Sequence, residues 1–324
     1  MNKPKAIRLI NILLLILITM MSLSCEKEET VTGSVYAFST IIDISITSYD
    51  AKTDYENVKN IILDTHKLCD NYNEYEGINN VCTLNKERTN VSVSDELVTL
   101  LSELSELKTT TDGYFNHYIG SLALLYKALI ESGKRSDIPS DEVIALELEK
   151  MNNTSYKESD NNVSLEGEGL IDLGAVGKGY ALRKVRAYLD SHNVKTYLIN
   201  GGSSSIIFGE KEGSKDYKIG VREVDDLVLS KKNKAISTSS ILEQFISIDD
   251  EIYHHIVNGK TGKNDHYYDT VVVVGDDPLL LDAYSTALFM MDKELVEAIK
   301  DSLDLDEIYL CKDNKVIYQY TRGK

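Results

Sequence analysis

The residues between positions 170 and 180 bring a carboxylate, a lysine and three glycines together where a strand would become a helix. Asp172 and Lys178 are the charged members, and glycines occupy positions 174, 177 and 179. Glycine lets backbone N–H groups approach a ligand closely, and the first N–H groups of a helix attract anions. A helical apolar period over residues 181–189 opens just beyond Lys178. The segment predicts a site for an anionic ligand; a plain strand–turn–helix is the alternative.

Much later in the chain, a second segment offers oxygen atoms to a cation. Asp282 and Thr286 are four residues apart, so in a helix they share one face. A carboxylate and a hydroxyl oxygen side by side suit a hard cation such as Mg2+. The alternative is that Asp282 only caps the start of the helix.

Two adjacent histidines, His254 and His255, follow a predicted strand and precede a turn with basic and hydroxyl groups. One of them could act as a general base near neutral pH. A zinc pair is disfavoured because adjacent strand residues point to opposite faces and no third histidine or cysteine ligand is close in sequence. A solvated structural role is the alternative for a single histidine.

Two short loops could contact a ligand. Tyr114 and Phe115, followed by Asn116, come after an Asp-Gly turn, and their rings could stack on a flat heterocycle. The loop of residues 200–205 is rich in glycine and serine, so its N–H groups could wrap phosphates. Core packing of Phe115 and an ordinary hairpin turn at 200–205 are the alternatives.

Composition indicates a folded protein and narrows the ligands. The 324 residues are 42% hydrophobic and 27% charged, which allows a large buried core. The 35 basic and 52 acidic residues leave a net charge of -17, which repels phosphate backbones and disfavours nucleic-acid binding. An anionic ligand would therefore need a cation beside it.

The first residues have the pattern of an export signal. Lys3, Lys5 and Arg8 precede an apolar run over residues 9–21, which is too short to span a bilayer. Residues 21–25 resemble a bacterial lipobox that ends at Cys25. We expect a signal peptide at 1–24, a lipidated tether at 25–32, and an exported protein anchored to the membrane through Cys25. A plain cleaved signal or a retained anchor is the alternative.

The other cysteines, Cys69, Cys82 and Cys311, fit no CxxC metal pattern and allow at most one disulfide. Buried free thiols are the prediction, and a bridge between Cys69 and Cys82 is the alternative.

The remaining pattern predicts mixed helices and strands in a single domain over residues 33–324. A hairpin is expected at 33–47, and helices are expected at 54–72, 94–111, 279–290 and 293–302. Short strands are expected at 196–200, 205–209, 217–221, 235–237, 245–248 and 271–274. Strands that come in runs favour an α+β fold, rich in antiparallel sheet with packed helices, over a doubly wound nucleotide fold.

The order of these segments resembles the ApbE family, the FAD:protein FMN transferases. The carrying motifs are Asp-Gly-Tyr-Phe-Asn at 112–116, Asp-Leu-Gly-Ala-Val-Gly-Lys-Gly-Tyr at 172–180, Asn-Gly-Gly at 200–202, His-Ile at 255–256 with Thr-Gly at 261–262, and Asp-Ala-Tyr-Ser-Thr-Ala at 282–287. The resemblance covers residues 37–292. It implies an ApbE-like fold related to the T-fold, and an exported lipoprotein is a common form of that family.

The resemblance also implies roles for single residues. Ala175, through its backbone carbonyl, would hold Mg2+ together with Asp282 and Thr286. His255 would be the catalytic base, and Asp282 would be the second catalytic residue. The implied FAD contacts are Phe38, Tyr75, Tyr114, Phe115, Asn116, Asp172, Lys178 and His255.

The implied reaction is attack by a threonine or serine hydroxyl of an acceptor flavoprotein on the FMN-side phosphorus of FAD, with release of AMP. The implied acceptors are extracytoplasmic electron-transfer subunits. Two other classes stay open: a metal-dependent FAD pyrophosphatase that gives FMN and AMP, and a non-catalytic flavin-binding lipoprotein.

Three positions depart from the family pattern. The family usually has Met-Gly-Thr where this chain has Phe-Ser-Thr at 38–40. It has an aspartate in place of Asn116, and Asp-Pro in place of Asn258-Gly259. We therefore expect the flavin-side contacts to differ more from the family pattern than the metal site does.

Overall fold

The computed structural model describes residues 27–213, 215–222 and 224–323. The predicted signal peptide and the lipidation site at Cys25 lie outside these residues. Within the described ranges, no helix combines the length and the apolar character that a membrane span requires.

The chain forms fifteen strands in its described part. They are β1 Glu29–Ala37, β2 Thr40–Ser48, β3 Val91–Ser92, β4 Ser155–Ser159, β5 Asn162–Glu166, β6 Thr196–Gly201, β7 Ser205–Phe208, β8 Tyr217–Gly220, β9 Val228–Lys231, β10 Lys234–Ser240, β11 Phe245–Ile248, β12 Glu251–His254, β13 Thr270–Gly275, β14 Glu307–Lys312 and β15 Lys315–Thr321. Eight of them make one sheet in the order β1-β2-β6-β7-β10-β13-β14-β15, and every neighbouring pair in it is antiparallel.

The same residues form eight α-helices. They are α1 Ala51–Cys69, α2 Val81–Glu87, α3 Asp95–Thr110, α4 Gly120–Ser132, α5 Asp141–Asn152, α6 Gly177–Ser191, α7 Pro278–Phe289 and α8 Lys293–Ile299. The predicted α+β class, with antiparallel sheets and packed helices, is confirmed.

The predicted hairpin is present, and it begins earlier than expected. Strand β1 starts at Glu29, inside the segment predicted as a tether, and pairs with β2 as far as Ser48. The turn between the strands consists of Phe38 and Ser39, which have φ angles of 51° and 59°. Two successive positive φ angles give the primed type of turn that matches the twist of a hairpin.

Side-chain caps fix where two of the predicted helices begin. Ser94 Oγ accepts from Leu97 N at 3.2 Å, so α3 starts where the sequence placed it. Asp277 caps α7 by accepting from Leu279 N at 3.0 Å. Asp282 therefore lies in the second turn of α7, and the alternative that it caps this helix is wrong.

Each face of the main sheet carries its own apolar core. The larger core lies between the sheet and the helices, where α1 packs on α6 and α6 packs on α7. The smaller core lies on the opposite face and includes Ile206, Phe208 and Ile236. Strand β10 contributes to both: Ile236 enters the smaller core, while Ser237 and Ser239 face α7.

The cysteines in the described residues are free and buried, so the predicted free thiols are confirmed and the Cys69–Cys82 bridge is wrong. The helical and strand patterns missed helices α2, α4 and α5. They also missed the small sheet of β3, β4 and β5, strand β9, and the C-terminal pair β14 and β15.

Candidate active site

Helix α6 begins without a side-chain cap of its own. A turn at residues 174–176 precedes it, and Leu173 O accepts from Val176 N at 3.1 Å and from Gly177 N at 2.7 Å. Val176, the N-cap residue, offers no side-chain acceptor. Asp282 of α7 supplies one, because its Oδ2 accepts from Gly179 N at 2.7 Å. The two segments that the sequence singled out are therefore joined directly.

The Asp282 carboxylate is buried and held by three donors. Its Oδ1 accepts from Ser237 Oγ at 2.6 Å and from Ser205 Oγ at 2.8 Å, while Oδ2 takes the bond from Gly179. Burial raises the pKa of this carboxyl, and the Lys178 charge and the three hydrogen bonds act against that rise. The carboxyl group is thereby held in place at the N-terminus of α6.

Sequence reasoning missed the serines around Asp282. Ser285 accepts from Ser239 at 2.9 Å and lies 3.0 Å from Ser237, so hydroxyls link the carboxylate to the face of β10. The available signal was the alternation of Ser237 and Ser239, but the predicted strand ended at residue 237, whereas β10 extends to Ser240.

Gly179 is required by the close packing of α6 on α7. A Cβ atom at this position would lie 2.3 Å from Pro278 O and 2.7 Å from Asp282 Oδ2. Real Cβ atoms do not approach other heavy atoms so closely, so the glycine is what allows the two helix starts to meet.

Lys178 lies among titratable groups of three different segments. Burial raises the pKa of Asp282 and of Glu243, and the Lys178 charge opposes both rises. Glu243 was not among the predicted site residues. Its Oε2 lies 3.9 Å from Nε2 of His255.

His255 is held in the form that can accept a proton. Burial, helped by the Lys178 charge, lowers the pKa of His255 to about 4. Its Nδ1 lies 3.3 Å from the carbonyl oxygen of Gln244. Near neutral pH the ring is neutral, as a general base must be.

His254 lies in the core instead of in the site. It is fully buried beside His266 and Phe289, and its ring nitrogens have no hydrogen-bond partner among the described residues. Burial lowers its pKa to about 3. The two neighbouring histidines therefore divide into one core residue and one site residue.

The residues predicted to hold a metal would offer it only oxygen atoms. Ala175 is exposed in the turn before α6, and Thr286 is half-buried one turn after Asp282 on α7. Over the ranges that the structure describes, no cluster of three or more His, Cys, Asp or Glu side chains could bind a metal. One carboxylate with neutral oxygens is a donor set that suits Mg2+, which keeps positions for waters and substrate phosphates.

The family model described as "ApbE family" matches residues 38–308. The chain belongs to the ApbE family.

Curated relatives and solved structures agree with that assignment. The FAD:protein FMN transferase of Klebsiella pneumoniae is 28% identical over 236 residues, which are 70% of this chain and 72% of that protein. The protein of the same name from Chlamydia pneumoniae is 24% identical over 291 residues, 87% of this chain and 91% of that one.

The fold is shared with the ApbE protein of Thermotoga maritima at a TM-score of 0.76 and 23% identity, over 87% of this chain and 94% of that one. It is also shared with the flavin transferase ApbE from Vibrio cholerae at a TM-score of 0.72 and 20% identity, over 91% and 98% of the two chains.

The first departure from the ApbE pattern lies against the start of α6. The Phe38 ring packs edge-on against His66, with ring centroids 5.1 Å apart. A Cβ atom at Gly177 would lie 2.9 Å from Phe38 Cε1, so the ring covers the first residue of the helix. Phe38 is thus brought close to the segment of Lys178.

Asp172 lies in a polar cluster before the same helix. Gly174 N donates to its Oδ1 at 2.7 Å, and Asn71 Nδ2 donates to its Oδ2 at 2.8 Å. Burial raises the pKa of Asp172, and these bonds and the Lys127 charge oppose the rise. Lys127 Nζ lies 3.9 Å from the centroid of the Tyr72 ring.

Tyr75 turns its hydroxyl toward Asp70 rather than toward Asp172. The hydroxyl donates to Asp70 Oδ2 at 2.7 Å, and burial together with that carboxylate raises the pKa of Tyr75 to about 12. The ring itself is half-buried.

The three residues after the Asp-Gly turn divide by exposure. Phe115 packs in the larger core, and Asn116 is buried with its Oδ1 accepting from Tyr118 N at 3.0 Å. Tyr114 is half-buried, with Lys260 Nζ 5.8 Å from its ring centroid. Of the two aromatic rings, only that of Tyr114 is partly open to a ligand.

The departure at Asn258-Gly259 has a packing reason. A Cβ atom at position 259 would lie 2.3 Å from Gly113 O and 2.8 Å from Tyr114 O. Gly259 N donates to Tyr114 O at 3.3 Å. Glycine at position 259 therefore lets the segment after His255 contact the Asp-Gly turn at residues 112–113.

The glycine-rich loop after β6 is the turn of a hairpin. Gly201 pairs with Ser205 across it, and Gly202 and Ser203 have positive φ angles of 70° and 69°. The turn places Ser205 against Asp282 and leaves little space at Gly202, where a Cβ atom would lie 2.3 Å from Thr40 Oγ1.

Proposed function

We propose that this protein transfers FMN from FAD to a threonine or serine hydroxyl of an acceptor protein and releases AMP. One observation carries the proposal. In a chain of the ApbE family, the buried Asp282 carboxylate meets the N-terminus of the helix that presents Lys178. A helix start with a lysine favours the phosphates of a dinucleotide, and the carboxylate favours a cation beside them.

Asp282, Thr286 and the carbonyl of Ala175 would hold Mg2+, which when bound supplies positive charge to offset that of the phosphates. Lys178 contributes a further positive charge from the first turn of α6. Together with the helix N-terminus, it would hold the FAD pyrophosphate in one orientation.

His255 is the proposed proton acceptor. A neutral imidazole takes the proton of the acceptor hydroxyl as its oxygen bonds to the FMN-side phosphorus. The bond from that phosphorus to the bridging oxygen breaks, and AMP leaves with the electron pair of the bridge. FMN stays on the acceptor as a phosphoester.

The flavin half of FAD is proposed to contact Phe38, Tyr75, Tyr114 and Asp172. Phe115 and Asn116 would support the contacting residues from the protein interior, because both side chains are buried. We also propose that the protein is exported and lipidated at Cys25, and the residue pattern of positions 1–25 supports this. Its acceptor would then be an extracytoplasmic flavoprotein.

The test measures the AMP half and the FMN half of FAD separately. The purified protein is incubated with FAD, Mg2+ and an extracytoplasmic electron-transfer flavoprotein subunit, and AMP, free FMN and flavin fluorescence on the denatured acceptor are measured. We expect AMP and a fluorescent acceptor band, both lost in Asp282→Ala and retained in the control Asp276→Ala, whose carboxylate is exposed. AMP with free FMN and no band would indicate hydrolysis, and bound FAD without AMP under any divalent metal would contradict both enzymatic readings.

A further inference from the structure

A cavity of about 250 Å³ opens on the face of the main sheet opposite α6 and α7. Leu198, Ile206 and Ile236 form its apolar floor, and Thr238 of β10 also lines it. Pockets for drug-sized ligands begin at about 300 Å³, so this cavity has room for a few side chains rather than for a dinucleotide. Phe38, Asp172 and Lys178 are not among its lining residues.

The cavity reaches the proposed site through Glu243. This residue lines the cavity, and its carboxylate lies 3.9 Å from Nε2 of His255. Leu242 and Glu243 also line a second cavity, together with Ser39 and Lys127. Ser39 belongs to the turn beside α6, and Lys127 interacts with Asp172. Glu243 therefore stands where the two cavities adjoin.

An unpaired strand edge faces the first cavity. In the described part of the chain, β8 pairs with β9 and with no other strand. The cavity is lined by residues 218–222 in succession and by none of the β9 residues. The edge of β8 that is not bonded to β9 therefore faces the cavity, and free strand edges bind extended peptides by adding a strand.

The charged side chains that line the cavity indicate which kind of peptide it would bind. Lys218 and Arg222, both exposed, line the cavity on the β8 side. They place positive charge beside the cavity, in a chain whose net charge of -17 otherwise repels acidic partners. Glu243 marks the end nearest His255, where a neutral hydroxyl side chain fits better than a carboxylate.

We propose that the acceptor polypeptide binds in this cavity as an extended, acidic segment along β8, with its threonine or serine directed past Glu243 toward His255. The inference rests on the proposed transfer reaction. It assigns the two substrates to opposite sides of the His255 region: FAD on the side of α6, the acceptor on the side of β8.

The test measures binding of each substrate apart from the chemistry. The probes are a fluorescent peptide with a central threonine flanked by aspartates, followed by anisotropy, and FAD itself, followed by flavin fluorescence. We expect Lys218→Glu and the cavity-filling Thr238→Phe to weaken peptide binding at least about tenfold while FAD affinity stays within about twofold. Thr238→Val, which keeps the volume, and Lys52→Glu, which reverses an exposed charge on α1, are the matched controls.

Each outcome decides the question. Loss of peptide binding in both variants with FAD binding retained supports the inference. Failure of the unaltered protein to bind the acidic peptide, equal binding of a lysine-flanked peptide, or unchanged binding in Lys218→Glu would overturn it. A parallel loss of FAD affinity would also overturn it, because the cavity would then belong to FAD. Failure to bind FAD at all in the unaltered protein is a separate result that counts against the transfer reaction.

Discussion

The backbone nitrogen of Gly179 donates a 2.7 Å hydrogen bond to the carboxylate of Asp282, 103 residues further along the chain. A side chain of α7 thus caps α6. The proposed phosphate and metal ligands therefore belong to one rigid unit, in which a shift of either helix moves both.

Gly179→Ala tests that unit. The added methyl group would meet Pro278 O and Asp282 Oδ2 at 2.3 Å and 2.7 Å, so α6 and α7 must separate. We expect a loss of about 1–3 kcal/mol in the free energy of unfolding and a loss of FAD affinity. Urea unfolding and flavin fluorescence measure the two effects.

Gly220→Ala is the matched control for stability, since a Cβ atom there has no neighbour within 4 Å. Its effect should stay within about 0.5 kcal/mol. Equal stabilities of Gly179→Ala and the unaltered protein would show that the helix starts are not in tight contact.

Asp282→Asn tests the charge with little change in shape. The amide group must present a donor to Gly179 N, Ser205 or Ser237, which already donate to this side chain. We expect AMP release to fall at least about a hundredfold and stability to drop by about 1–3 kcal/mol. Steady-state rates and urea unfolding are the measurements, with Asp276→Asn as the exposed control. Full activity in Asp282→Asn would remove Asp282 from the catalytic site.

The two halves of this unit were predictable from sequence because each is local. A glycine-rich turn that opens a helix shows at 172–180, and the four-residue spacing shows Asp282 and Thr286 on one face. Ser205, Ser237 and Glu243 were not predictable, because they reach the site through strand pairing and loop packing over long sequence separations. The pattern of α4 was missed as well, since its high apolar content hides a helical period.

His254 makes the fold sensitive to acid. Burial lowers its pKa from 6.5 to about 3, so above pH 6.5 it is neutral both folded and unfolded and adds no pH dependence. As the pH falls below 6.5, His254 becomes protonated in the unfolded chain but stays neutral in the folded protein. Stability should therefore fall by up to about 1.4 kcal/mol per pH unit from this residue.

His254→Leu should reduce that slope. Urea unfolding at about pH 7.5 and pH 5 measures it. His192→Leu, at an exposed histidine, is the control and should keep the acid sensitivity of the unaltered protein. An unchanged slope in His254→Leu would mean that other groups govern acid unfolding.

Glu243 is expected to position His255 rather than to bind FAD. With its carboxylate 3.9 Å from Nε2, Glu243→Gln should lower kcat about tenfold and leave KM for FAD unchanged. Because the pKa of His255 is lowered to about 4, the acid limb of the rate profile should lie near that pH instead of near 6.5. Glu251→Gln, on the hairpin that leads to His254, is the control. A rise in KM for FAD with kcat intact would assign Glu243 to flavin binding instead.

Two buried cysteines report on the two apolar cores separately. Cys69 belongs to the core beneath the helices, and Cys311 belongs to the core on the other face of the sheet. Burial raises the pKa of each thiol to about 12, so neither reacts with alkylating reagents while its surroundings are intact. The chain thus carries a native reporter in each core, and the order in which the two thiols become alkylated shows whether the two faces of the sheet unfold together or one after the other.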